Sequence, residues 1–112
     1  MLKDRFSTYN SHKLIEIIEL PDAYTNEARE IAEAILLERN LHPNSLDKLV
    51  KDFWYNYIKE NFRHLLKTGE RIQSKYLSQE ELKPLFQRAY NRYKHRQELF
   101  EIDLQLYWGA AL

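Results

Sequence analysis

From Leu46 to Leu65 the apolar residues Leu46, Leu49, Val50, Phe53, Trp54, Tyr57, Ile58, Phe62 and Leu65 recur three and four positions apart. That spacing places all of them on one face of an α-helix, whereas a strand would scatter them over both faces. A long amphipathic helix, from about Ser45 to Lys67, is therefore expected to be the central element of the core.

The rest of the chain agrees with a helical reading. Its 112 residues include only two glycines and three prolines, too few for the many turns of an all-β fold. Ser11 is placed to cap a short helix in which Leu14, Ile15, Ile17 and Ile18 crowd one side, and Pro21 stops it. Thr25 or Asn26 caps a second helix with Ala28, Ile31, Ala32, Ile35 and Leu36 on one stripe. Asn40 suits its C′ position, Leu41-His42-Pro43 makes the connection, and Asn44 with Asp47, or Ser45 alone, opens the central helix. Gly69 marks the end of that helix, after which Ile72, Tyr76 and Leu77 fit either a short extra helix or a bent continuation.

Ser78-Gln79-Glu80-Glu81 is a capping box, and a last helix from about Ser78 to Trp108 follows it. Pro84 removes one backbone bond there and is expected to kink the first turns. Between Phe100 and Trp108 the apolar residues also alternate as in a strand; helix is preferred because a lone strand would leave its backbone groups unsatisfied. The expected fold is all-α, a bundle of four or five helices forming a single domain over residues 1–112.

Charge and cysteine usage narrow the function. There is no cysteine, which excludes disulfides, thiolate metal sites and cysteine nucleophiles, and makes a reducing cytoplasm the expected location. No stretch approaches the roughly 20 apolar residues of a membrane span, and charges near the N-terminus interrupt any signal-like run, so no membrane association is expected. The 17 basic and 17 acidic residues cancel. They are unevenly placed: residues 1–60 hold 8 Lys/Arg and 11 Asp/Glu, residues 61–112 hold 9 and 6, and Lys83–Arg96 contains five bases and no acid. Halves of opposite sign can attract within one molecule or between two.

The run Leu14-Ile-Glu-Ile-Ile-Glu-Leu-Pro21-Asp-Ala-Tyr24, with Glu27-Ala28, Ala32 and Glu38-Arg39-Asn40-Leu41, resembles a short two-helix module of uncharacterised bacterial proteins, notably of the Bacteroidota. The resemblance covers residues 11–41 and implies a soluble bacterial protein with a close helix packing. It carries no catalytic residue.

Candidate chemistry is sparse. His12, His42, His64 and His95 are scattered; Glu60 with His64 is one residue too long, and His95 with Glu98 is reversed, for the Glu-x-x-His motif of di-metal bundles. No metal or other cofactor is expected. Neither a phosphate loop nor a nucleophile elbow occurs, and the serines read as caps or surface positions. Asp103 falls on the apolar stripe of the last helix, where pairing with an arginine or exposure at an edge outweighs a catalytic reading. No enzyme is expected.

Two interaction readings remain. Leu99, Ile102 and Leu106 form a second apolar stripe on the last helix, with Trp108 beside it, and such a stripe needs cover. The expected role is a protein-interaction or structural helical module of unknown pathway, its partner another protein or a second copy, with Leu99, Ile102, Leu106 and Trp108 as the interface. No small-molecule ligand is inferred. The alternative is a nucleic-acid-binding accessory domain using segment 83–96, with Arg88, Arg92, Lys94 and Arg96 on phosphate; overall neutrality weighs against it, and Tyr90 and Tyr93 read as core.

Overall fold

The structure is a computed structural model that describes residues 2–93. It is all-α, with five helices and no strand among the described residues: α1 Leu2–Phe6, α2 Ser11–Glu19, α3 Asn26–Glu38, α4 Pro43–Thr68 and α5 Gln79–Tyr93. The described residues fall into two compact units, one of residues 2–53 with 74–76, the other of 54–73 with 77–93.

In the first unit α2 and α3 pack on one another and α1 packs on α3. Leu14, Ile15, Ile17 and Ile18 of α2 are buried, as are Ala28, Ala32, Ile35 and Leu36 of α3. The sequence reading did not anticipate α1, which is too short to show a period. A helix of this length has little stability of its own and depends on its tertiary contacts, made here with Phe6 buried.

The cap of α2 is Asn10 rather than Ser11. Its side chain accepts the Lys13 N–H at 2.8 Å, while the Ser11 hydroxyl accepts from the Arg39 guanidinium at 3.0 Å. Arg39 also donates to the carbonyls of Ser7 and Tyr9, tying the end of α3 to the α1–α2 connection. Thr25 caps α3 through the Ala28 N–H at 3.1 Å, and Arg29 Nε reaches the Ile18 carbonyl at 3.0 Å, satisfying one of the acceptors left over at the end of α2.

The central helix starts earlier than expected. Pro43 occupies the first helical position, where a missing N–H costs nothing, and His42 Nδ1 accepts the Asn44 N–H at 3.0 Å as the cap. Val50, Phe53, Trp54, Ile58, Phe62 and Leu65 of its stripe are buried.

In the second unit α4 departs from helical geometry at Asn61 (φ −112°, ψ 15°). The Asn61 side-chain amide donates to the Tyr57 carbonyl at 2.9 Å, the acceptor a regular helix assigns to the Asn61 backbone N–H. Gly69 ends the helix with φ 69°, and residues 70–78 are neither a further helix nor a continuation, correcting both sequence expectations for this segment. A left-handed glycine turns the chain out of the helix, and side chains then satisfy the freed backbone: Gln79 Nε2 donates to the Ile72 carbonyl at 2.8 Å. The capping box forms as the sequence indicates, with the Glu81 N–H donating to Ser78 Oγ at 3.1 Å and the Ser78 N–H to Glu81 Oε1 at 3.2 Å. From there α5 runs unbroken through Pro84 to Tyr93.

Candidate functional site

In the first unit a polar cluster forms where residues 74–76 lie against the helical hairpin. Glu19, the last residue of α2, is 2% exposed. Its carboxylate accepts the Lys75 N–H at 2.8 Å and the Ser74 hydroxyl, and Ser74 Oγ in turn accepts the Tyr76 N–H at 3.1 Å. The Lys75 ammonium meets Glu33 of α3. Burial pushes the Tyr76 phenol up to about 12, reinforced by the negative charges of Glu33 and then Glu19.

Beside this clasp lies an apolar recess of about 120 Å³, lined by Leu36, Leu37, Asn40, Leu41, Leu46 and Tyr76. Leu37 on its rim is 73% exposed, although most large apolar side chains of the described residues are covered. Sequence reasoning missed both features. Glu19 looks like any acid on a solvated helix face, because its partners are 55 and 56 positions away. Leu37 could have been found, since it is an apolar residue standing off the α3 stripe among Glu30, Ala34 and Glu38.

The second unit carries a basic and aromatic cluster. The Arg88 guanidinium of α5 lies 3.8 Å from the centroid of Tyr55 of α4, and Lys59 Nζ lies 5.7 Å from the same centroid. Arg88 and Arg92 are both exposed, and Arg92 follows one helical turn after Arg88. Of the bases in segment 83–96, Lys94 and Arg96 lie outside the described residues, as do the expected interface residues Leu99, Ile102, Leu106 and Trp108, and also Asp103, His95 and Glu98.

The three described histidines have structural partners. His12 meets Phe53 edge to face with centroids 6.3 Å apart, His42 caps α4, and His64 Nε2 lies 3.3 Å from Glu70 rather than forming a pair with Glu60. No group of three or more His, Cys, Asp or Glu that could hold a metal occurs among the described residues. Nor is any described helix long and apolar enough to cross a membrane. No family model, curated protein or solved structure matches the chain.

Proposed function

We propose that this protein is a helical interaction module that pairs with a second copy of itself. The observation that carries the reading is Leu37, exposed on the rim of a recess with room for one apolar side chain. Small-molecule sites enclose roughly 300–1,000 Å³, and a cavity of roughly 150 Å³ is filled by benzene; a recess of about 120 Å³ matches a leucine rather than a metabolite. Knob and hole adjoin on one surface, so a two-fold axis between them lets each Leu37 fill the recess of the other copy.

Magnitudes decide how far this contact goes by itself. Burying a leucine contributes about 1.5–3 kcal/mol, and the symmetric pair doubles that, while association costs about 4–15 kcal/mol. The pair alone supports only weak association, so a stable dimer also draws on the C-terminal stripe of Leu99, Ile102, Leu106 and Trp108. Sedimentation equilibrium tests the proposal. The wild-type protein is expected to dimerise at micromolar concentration, and Leu37→Glu and the double change Ile102→Glu with Leu106→Glu are each expected to give folded, helical monomers. A wild-type chain that stays monomeric at high micromolar concentration overturns the reading.

A further inference from the structure

Tyr55, Lys59, Arg88 and Arg92 form a cationic and aromatic cluster in the second unit, separate from Leu37 and its recess in the first. Arginine is flexible, and a ligand that uses it ordinarily has to order it first. Here the ordering is already done, because the Arg88 guanidinium lies 3.8 Å from the Tyr55 centroid, within the range of face-on stacking. Stacking engages one face of the guanidinium and leaves the N–H edge able to meet an oxyanion in a fork. Its opposite face is a flat cationic surface of the kind on which nucleobases stack. Lys59 adds positive charge beside the same ring, and Arg92 adds more one turn along α5.

We propose that this surface binds single-stranded nucleic acid, with a base stacked on Arg88 over Tyr55 and the neighbouring phosphates meeting Arg92 and Lys59. Ligands carrying only phosphate would use the charges and gain nothing from the platform. Single strands fit better than duplex because only an unstacked base can reach the guanidinium face. The platform aromatic comes from a different helix than the basic segment, so the run 83–96 alone does not reveal it.

Fluorescence anisotropy with a labelled single-stranded RNA of about ten nucleotides, on the full chain, tests the proposal. Wild type is expected to bind, and neutralising two phosphates, at Arg92 and Lys59, predicts roughly 7-fold weaker binding at 200 mM than at 50 mM salt. Arg88→Lys keeps the charge and removes the plane; Tyr55→Leu keeps every charge and removes the support. Each is expected to weaken binding roughly tenfold, with the helical circular dichroism of wild type. Because Arg88 is exposed, Arg88→Lys reports on the site even if Tyr55→Leu fails to fold. Absence of wild-type binding overturns the proposal, and so does wild-type affinity in Arg88→Lys. Tripolyphosphate displacing the RNA as well as unlabelled RNA does, phosphate for phosphate, shows charge attraction alone and overturns it too. These outcomes are separate from sedimentation, since Leu37→Glu is expected to bind RNA like wild type.

Discussion

A buried carboxylate at the C-terminal end of a helix is an unfavourable placement, because the helix dipole is negative there and desolvation disfavours the charge. Glu19 tolerates it by accepting hydrogen bonds from Ser74 and Lys75. Glu19→Gln keeps one oxygen for the Lys75 N–H but replaces the charged acceptor of the Ser74 hydroxyl with a neutral amide that can only donate to Ser74 Oγ, so the charge-assisted bond is lost. Because Ser74 is half-buried and Lys75 exposed, water partly compensates, and a loss of about 1–2 kcal/mol is expected. Urea denaturation checks this, with a lower midpoint at unchanged slope as the expected result. The neighbouring Tyr76 gives a pH signature. Its pKa is raised from 10.0 to about 12 in the folded protein, so its contribution is complete below pH 10 and is lost as pH rises to about 12. Lys13 acts in the same direction, because its hydrogen bonds to Glu16 and then Tyr24 raise its pKa above 10.5. Melting temperature should therefore fall between pH 10 and 12. Tyr76→Phe should flatten part of that fall, and a mutant with the wild-type slope would show that the phenol is not the group responsible.

At the scale of elements, helix ends carry much of the specification. Gly69 is in the left-handed region with φ 69°, and a Cβ added there would meet nothing within 4 Å. Gly69→Ala isolates the backbone strain from any packing clash, with an expected destabilisation of about 1 kcal/mol. Thermal or urea unfolding measures it; a neutral result would mean that the turn adjusts to a right-handed conformation. Thr25→Ala, which removes the acceptor for the Ala28 N–H, is expected to cost about 1 kcal/mol by the same measurement. The interruption of α4 has its own element-scale cause. The Asn61 side-chain amide donates to the i−4 carbonyl, competing with the backbone ladder at the residue where the helix departs from regular geometry.

At the scale of the whole molecule, the core among the described residues is made of apolar side chains buried in helices, and the lack of cysteine excludes disulfide cross-links. The described histidines are spent on a cap, a ring contact and an exposed contact with Glu70. Chelation is expected to leave the melting temperature unchanged, because buried side chains such as Ile15, Ile58, Phe62 and Phe86 need no metal to stay folded. A lower melting temperature with chelator, restored by one equivalent of a divalent ion, would contradict this. Charge segregation also acts at this scale. Residues 1–60 carry an excess of acid and residues 61–112 an excess of base, so any electrostatic part of self-association should weaken with added salt, whereas burial of Leu37 should not.

Helical class, the central stripe, the capping box at Ser78 and the left-handed stops at Asn40 and Gly69 were legible in the sequence. Each rests on interactions within a few positions, where spacing and side-chain type are enough. Ser11 was misread as a cap because the sequence could not show that Arg39, 28 positions away, would claim its hydroxyl. Tertiary structure alone decided the burial of Glu19, the position of Leu37 beside an apolar recess and the seating of Arg88 on Tyr55. Those arrangements join residues from different helices. Helical periodicity says which face a residue occupies but not what that face will meet, so an ordinary acid, leucine or arginine gives no sign in the sequence that it will be buried, border a recess or stack on a ring.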